Sequence, residues 1–163
     1  MTAGHRRRAA LAAAETLAPP RVAGHLTRLV GLTLEARGLR ASIGDRCLIG
    51  RGSGIVGHLA IDIGNDVWTG HHVYITDQNH GYENPDLPIS LQSQPESPVI
   101  IGDGSWLGHG TVVLPGARIG RHVAVGANSV VTGELPDHCV AVGAPARVIK
   151  RWTKEHGWSR VDP

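Results

Sequence analysis

The chain repeats a small unit every six residues over most of its length. From residue 101 the register is unbroken through six units, IGDGSW, LGHGTV, VLPGAR, IGRHVA, VGANSV and VTGELP. An aliphatic residue opens each of these units, and a small or aliphatic residue follows four places later. Upstream, the units IGDRCL, IGRGSG and IVGHLA start at residue 43. The register slips by two residues at 61 and 62, then resumes at residue 63 with IGNDVW, TGHHVY and ITDQNH.

A period of six matches neither an amphipathic helix, with apolar residues three and four apart, nor a strand that alternates every second residue. It matches a short strand followed by a corner, and glycine suits such corners because it tolerates positive φ. Three units of six residues make one triangular turn, and stacked turns pair their strands in parallel. The repeat therefore predicts an all-β parallel β-helix, with coils at 43–60, 63–80, 101–118 and 119–136.

The same periodicity predicts which residues stack in columns along the helix. Trp68 and Trp106 share one outward-facing column, and a second column contains Arg51, His71, His109 and Ala127. His80 occupies the last place of its coil. About twenty residues, 81–100, then leave the helix without a repeat of their own. Loops of that length are uncommon in compact domains and usually carry function.

The composition limits which classes of fold and binding partner fit this chain. The 163 residues suit one domain, and 22 Gly, 10 Pro and no Phe indicate a narrow aliphatic interior with many turns. A formal net charge of +2 gives no whole-molecule argument for binding nucleic acid. The segment HRRRAALAAAETLA predicts a short helix whose apolar run is too short to span a membrane. We divide the chain into a partly helical N-terminal segment (1–40), the β-helix (41–149) and a basic C-terminal tail (150–163).

Two cysteines, Cys47 and Cys139, lack the spacing of a metal site and need no disulfide. We therefore expect no bound metal and a reducing, cytoplasmic location. Because the apolar run near the start of the sequence is short, we also expect no integral membrane segment.

Four stretches carry a family resemblance: ITDQNHGYENPDLPI, PVIIGDGSWLGHGTVVLPGARIG, VGANSVVTGELP and VAVGAPARVI. They resemble the hexapeptide-repeat acyltransferase superfamily, and within it the galactoside, maltose and capsule or lipopolysaccharide O-acetyltransferases. The resemblance covers roughly residues 41 to 149. It implies a left-handed β-helix, acetyl-CoA as the acyl donor, and a sugar, glycan or other small-molecule acceptor. It also implies a homotrimer whose active sites lie between subunits.

The resemblance assigns roles to individual residues. It makes His80 the general base that removes a proton from an acceptor hydroxyl, which then attacks the thioester of acetyl-CoA directly. An imidazole, with an ordinary pKa near 6.5, can accept that proton at neutral pH. Candidate acceptor contacts are Asp77, Tyr82 and Trp106. Asp77 can instead orient the imidazole, and a turn-capping role fits it equally well. The positions that match the family's CoA contacts are His109, Ala127, Thr132, Gly133, Arg147 and Lys150.

Other interpretations stay open at this point. The chain can be a non-catalytic β-helix scaffold or binding module. It can also be a zinc enzyme, because LGHG at 107–110 resembles the metal-binding segment of gamma-class carbonic anhydrases; however, Leu114 stands where their second histidine is found. A monomer whose tryptophans are covered by the first 40 residues is the alternative to the trimer. The identity of the acceptor and the length of the acyl group are open as well.

Overall fold

The computed structural model describes residues 40–161, together with the backbone of three short segments at 21–22, 28–29 and 33–36. The helix predicted in HRRRAALAAAETLA lies outside the described residues. Within them, nineteen short strands form three sheets, and one 3-10 helix spans Ile89–Leu91. No helix in these ranges has the length and apolarity needed to cross a membrane.

The strands are distributed over the three sheets in turn. Sheet 1 contains, in spatial order, β1 (Arg21–Val22), β4 (Arg40–Ile43), β7 (Ala60–Ile63), β10 (Val99–Ile101), β13 (Arg118–Ile119) and β16 (Glu134–Leu135). Sheet 2 contains β2 (Arg28–Leu29), β5 (Leu48–Ile49), β8 (Trp68–Thr69), β11 (Trp106–Leu107), β14 (Ala124–Val125), β17 (Cys139–Val142), β18 (Arg147–Thr153) and β19 (Gly157–Arg160). Sheet 3 contains β3 (Thr33–Ala36), β6 (Gly54–Gly57), β9 (Tyr74–Thr76), β12 (Val112–Val113) and β15 (Val130–Val131).

The chain therefore visits sheets 1, 2 and 3 in order, and each strand up to β17 pairs in parallel with the strand one coil away. This is a triangular parallel β-helix, as the repeat predicts. We name two of its edges by a histidine on each. The His80 edge comprises the corners from sheet 3 to sheet 1, and the His109 edge comprises the corners from sheet 2 to sheet 3.

The interior is a stack of aliphatic side chains. The residues that open the repeat units are at most 4% exposed, and Ile101, Leu107, Val113, Ile119 and Val125 at most 2%. Most are β-branched, which suits a pleated strand packed on one face. The small residues four places later are buried beside them, as the pattern predicts; Ser105, Thr111 and Ser129 also bond to backbone groups.

Glycine at the second position of many units has a different cause from the positive φ that the sequence suggests. A Cβ on Gly50 would overlap the carbonyl oxygen of Gly70, and one on Gly108 would lie 2.5 Å from the amide nitrogen of Ala127. Neither glycine has a left-handed φ. The coils approach so closely that only glycine leaves room for the backbone of the next turn.

Left-handed φ occurs instead further into the corners, often without glycine. Gly52, His72, Gly110 and Asn128 have φ between 57° and 74° at successive levels of the His109 edge. His122 and His138 adopt the same conformation at the corners from sheet 1 to sheet 2, where their rings stack with centroids 5.3 Å apart. These histidines, which have no evident partner in the sequence, are thus stacked corner residues.

Several predicted boundaries need correction. The two-residue slip near residue 61 is present, because Ser42 pairs with Asp62, twenty residues on. The last full turn is two residues short, since Arg118 pairs with Glu134; Leu135 therefore occupies an opening aliphatic position, opposite Ile119. Fewer residues in the corner after β15 cause this shift.

The predicted domain limits also change. Strands β1 to β3 already pair with β4 to β6, so the β-helix starts before residue 41. At the other end, β18 crosses the predicted limit at residue 149 and pairs antiparallel with β17 and β19. The predicted basic tail is therefore mostly a β-hairpin that extends sheet 2, because the backbone groups of β17 would otherwise lack partners on that side.

The close approach of the coils gives a stability prediction. Gly108→Ala should lower the free energy of unfolding by about 1–3 kcal/mol, because the added methyl group meets backbone that cannot move independently. Gly133→Ala is the matched control, since a Cβ at that position would have no atom within 4 Å. It should change stability by less than about 0.5 kcal/mol or increase it slightly. Urea unfolding followed by tryptophan fluorescence measures both, and equal effects would contradict the explanation.

Candidate active site

The repeat breaks at a loop with an ordered neck. The chain leaves sheet 3 after Thr76, and the two limbs of the loop run antiparallel: Asn79 N–H donates to Pro95 O at 3.0 Å, and Gly81 N–H donates to Ser93 O at 2.7 Å. Val99 then rejoins sheet 1 opposite Ile61. The excursion thus covers 77–98 rather than the predicted 81–100, because strand pairing stops at Thr76 and resumes at Val99.

A cleft of about 480 Å³ lies between the neck of this loop and the outer face of sheet 3. Its walls combine aliphatic, aromatic and polar side chains from three coils and from both limbs of the loop. The lining residues are Val56, His58, Tyr74, Thr76, Gln78, Asn79, His80, Gln94 and Leu114.

His80 lies in this cleft on the outgoing limb, with its side chain exposed. Its Nδ1 is 3.5 Å from the side-chain nitrogen of Gln94, and the Gln94 oxygen accepts a hydrogen bond from the Gln78 amide at 2.8 Å. Rotating both carboxamides by 180° exchanges their donors and acceptors and preserves the pair. In that orientation Gln94 can accept from Nδ1–H, and a ring protonated on Nδ1 has its lone pair on Nε2.

Asp77 has a structural role. It is fully buried, and its carboxylate accepts hydrogen bonds from the backbone N–H groups of His58, Leu59 and Ala60 at 2.7–2.8 Å. These three groups form the corner of the preceding coil, where the register slips by two residues. The expectation that Asp77 contacts an acceptor is therefore corrected: its oxygens are enclosed and already engaged by backbone donors.

His58, like Gln94, is a cleft residue that the sequence does not single out. Its Nδ1 lies 3.3 Å from a carboxylate oxygen of Glu96, with the two side chains 22% and 35% exposed. The sequence contains only a weak indication of this pair. His58 stands in the corner that contains the two extra residues, and Glu96 stands just before the repeat resumes. Sequence separation hides their proximity, which the antiparallel neck creates.

The remaining predicted residues fall on different parts of the prism. Thr132 and Gly133 lie on the His80 edge, in the corner between β15 and β16. His109 and Ala127 lie on the His109 edge, where the predicted column is present: Gly110 N–H donates to His71 O, and Asn128 N–H donates to His109 O. One chain therefore does not bring His80 and His109 into the same cleft.

Three more predicted positions lie away from the cleft. Arg147 and Lys150 are exposed on β18, at the end of the prism. Tyr82 is 73% exposed on the loop beyond the neck. Trp106 lies on the outer face of sheet 2, directly opposite Trp68, and the two side chains are 48% and 56% exposed. The predicted tryptophan column is thus present, on a face other than the one that forms the cleft.

Neither cysteine is suited to nucleophilic catalysis. Cys47 and Cys139 are buried and unpaired, and burial raises the pKa of both thiols. A raised pKa disfavours the reactive thiolate. Neither residue lines the cleft. Among the described residues, no group of three or more His, Cys, Asp or Glu side chains is arranged to hold a metal ion.

Sequence comparisons match the repeats directly. The family model described as bacterial transferase hexapeptide (six repeats) matches residues 98–133, and the model for the hexapeptide repeat of succinyl-transferase matches residues 40–76. Both matches support the predicted resemblance to the hexapeptide-repeat superfamily. The fold of the chain is the left-handed parallel β-helix of that superfamily, which confirms the predicted fold class and the predicted resemblance.

Individual relatives of this hexapeptide-repeat chain are acetyltransferases. A galactoside O-acetyltransferase from Lactococcus lactis subsp. lactis (strain IL1403) is 41% identical over 91 residues, which are 56% of this chain and 43% of that protein. The crystal structure of a maltose O-acetyltransferase from Clostridium difficile 630 superposes with a TM-score of 0.61 at 28% identity, covering 78% of this chain and 69% of that one.

A galactoside acetyltransferase in complex with coenzyme A superposes with a TM-score of 0.63 at 25% identity, covering 77% of this chain and 64% of that one. The hexapeptide-repeat chain spans 53%, 39% and 43% of the length of three curated relatives that it matches.

The buried carboxylate at the loop neck gives a second stability prediction. Asp77→Ala should cost at least about 2 kcal/mol of unfolding free energy, because three backbone donors lose a charged acceptor. Asp86→Ala, on the exposed part of the same loop, should change stability by less than about 0.5 kcal/mol. Chemical denaturation of the two variants checks this difference. A neutral Asp77→Ala would show that the corner 58–60 finds other acceptors.

Proposed function

We propose that this protein is an O-acetyltransferase that moves an acetyl group from acetyl-CoA to a hydroxyl of a sugar or glycan, with His80 as the general base. One observation carries the proposal: an exposed imidazole lines a ligand-sized cleft at the single long break in the repeat. The relatives named as galactoside and maltose O-acetyltransferases support the same activity.

The chemistry needs few side chains. The unprotonated Nε2 of His80 takes the proton of the acceptor hydroxyl while the hydroxyl oxygen attacks the thioester carbon. The carbon–sulfur bond of the tetrahedral intermediate then breaks, and the CoA sulfur receives the proton from the imidazolium. A positioned base of this kind contributes about 10²- to 10⁴-fold to the rate. Gln94, through Nδ1, is the residue that positions the ring.

Coenzyme A carries several phosphate charges, and the terminal hairpin supplies cations for them. Residues 147–160 contain Arg147, Lys150, Arg151, Lys154 and Arg160 against Glu155 alone. We assign Arg147 and Lys150 to the phosphates, through charge-assisted contacts that added salt weakens. His109, Ala127, Thr132 and Gly133 are assigned to the rest of the cofactor. The solved complex of a similar galactoside acetyltransferase with coenzyme A supports this ligand.

The distribution of these residues favours a site shared between chains. His80 lies on one edge of the prism, whereas His109, Ala127 and the hairpin lie elsewhere, so a second chain is needed to bring them together. The outer face of sheet 2 offers an interface. Leu48, Trp68, Trp106, Ala124 and Val140 form one outward column there, which we call the tryptophan strip. Exposed apolar strips of this kind mark interaction surfaces, and we propose a homotrimer.

A cytoplasmic location is part of the proposal. It is supported by the two unpaired thiols, which persist in a reducing compartment.

The direct test measures CoA release from acetyl-CoA against a panel of sugars, with variants of the cleft. His80→Ala should lower kcat by about 10²- to 10⁴-fold. Its fold should be unchanged, because the side chain is exposed. Gln94→Leu should lower kcat by about 10-fold by freeing the ring, since one hydrogen bond contributes roughly that much. His122→Asn, an exposed corner histidine far from the cleft, is the matched control and should retain full activity.

If His80→Ala keeps most of its activity while His109→Ala abolishes it without weakening CoA binding, His109 is the base. If no sugar, glycolipid, amino acid or antibiotic stimulates CoA release by the wild type, the proposed activity is wrong.

The shared site predicts complementation between two defective variants. His80→Ala chains lack the base, and chains with Arg147→Ala and Lys150→Ala bind acetyl-CoA weakly. After co-refolding in equal amounts, each mixed trimer contains one site with both elements intact. Activity at low acetyl-CoA should therefore return to about a quarter of wild type. Light scattering should give about 52 kDa for the trimer against 17.2 kDa for one chain. Mixtures no more active than their components, or an active monomer, would contradict the shared site.

A further inference from the structure

The cleft contains a second imidazole that the transfer reaction does not use. We propose that His58 binds the acceptor, by accepting a hydrogen bond at Nε2 from a hydroxyl other than the one that is acylated. The acceptor is then a polyhydroxylated molecule, such as a sugar, and not a simple alcohol. This inference rests on the proposed function and specifies which feature of the acceptor the cleft recognises.

The first argument concerns the protonation of the ring. A carboxylate only accepts hydrogen bonds, so Glu96, 3.3 Å from Nδ1, holds the proton of neutral His58 on that nitrogen. The lone pair is then on Nε2. Because His58 lines the cleft, Nε2 is the ring nitrogen left for a bound molecule. Pairing of one ring nitrogen with a carboxylate is the usual way in which proteins fix a histidine tautomer.

The second argument concerns rigidity. The backbone N–H of His58 donates to the buried carboxylate of Asp77 at 2.8 Å, so the residue is anchored at its backbone as well as at its ring. Glu96 is fixed too, because it forms an antiparallel bridge with Gln78 next to the Ser97 N–H to Asp77 O hydrogen bond of 2.8 Å. Binding residues select a ligand well when their neighbours hold them in place. His58 meets this condition better than the exposed His80.

The third argument concerns the number of donors that the cleft can satisfy. With the proposed orientations, His80 and His58 each present an unprotonated ring nitrogen. One hydroxyl has one proton and can donate to only one of them. Leaving a half-buried ring nitrogen without a hydrogen-bond donor upon binding is costly. An acyl acceptor with at least two hydroxyls therefore fits the cleft better than one with a single hydroxyl. A volume of about 480 Å³ is within the ~300–1,000 Å³ typical of small-molecule sites.

The kinetic test compares maltose and p-nitrophenyl β-galactoside with 1-propanol as acceptors. His58→Leu should raise KM for the better sugar about 10-fold while kcat falls less than about 3-fold, because binding and not proton transfer is lost. His58→Gln, whose side-chain oxygen can still accept, should recover part of the affinity. KM for acetyl-CoA should not change. Glu96→Ala should also raise KM for the sugar, but by less than His58→Leu does. Glu134→Ala, at an exposed position on sheet 1, is its matched control and should leave that KM unchanged.

A structural readout does not depend on turnover. Nitrogen-15 NMR of the histidine rings should show neutral His58 protonated on Nδ1 in the wild type, and Glu96→Ala should shift that proton towards Nε2. Adding p-nitrophenyl β-galactoside or maltose should shift the Nε2 resonance of His58, whereas 1-propanol should not.

The outcomes separate the two hypotheses. If the wild type acetylates a sugar and His58→Leu leaves its KM unchanged, the inference is wrong and the proposed function stands. A wild type that is inactive with every sugar refutes the proposed function. The NMR titration then decides the inference alone: a sugar-dependent shift at Nε2 supports it, and no shift overturns it. Neutral His58 protonated on Nε2 in the wild type also overturns it.

Discussion

Hydrogen bonding between coils stacked in register is the constraint on which this structure depends. Parallel strands lie about 4.8 Å apart, so each turn must repeat the previous one closely for all three sheets to pair. That spacing requires one inward aliphatic residue per side and room for the next backbone at the position that follows. The glycines at 50 and 108 meet the second requirement, because a single methyl group there would overlap the neighbouring coil. The six-residue period of the sequence follows from these two requirements.

The loop interrupts the pairing at one corner, and the structure compensates with one buried carboxylate. Asp77 supplies the acceptors that a regular next coil would supply to the corner at residues 58–60. Its backbone carbonyl closes the neck by bonding to Ser97. As a result, the irregular segment leaves the helix from a fixed base. The cleft lies at this base, where Asp77 and Glu96 hold His58 and Gln94 contacts His80.

A single prism separates the parts of the proposed site. Its edges lie on different sides of the aliphatic core, so residues at equal levels on two edges cannot converge within one chain. The tryptophan strip, on a different face from the cleft, is the surface where we propose that a second chain packs. In the proposed transferase, the loop brings the base, and the neighbouring edge and hairpin hold the cofactor. Rigid coils then align the two substrates without a moving domain.

The repeat in the sequence is enough to predict the fold and the position of the candidate site. Periodicity alone gives the coils, the inward residues and the columns, because in-register stacking makes sequence separation a direct measure of position. It also locates His80, because the repeat breaks there. Tertiary structure decided the rest: the loop start at residue 77, the structural role of Asp77, the short final turn and the strands of the C-terminal hairpin. Only folding shows the pairing of His58 with Glu96, since 38 residues separate them in the sequence and the antiparallel neck of a non-repetitive loop brings them together. Repetition encodes geometry that can be counted, whereas contacts across an irregular loop depend on how its limbs pack.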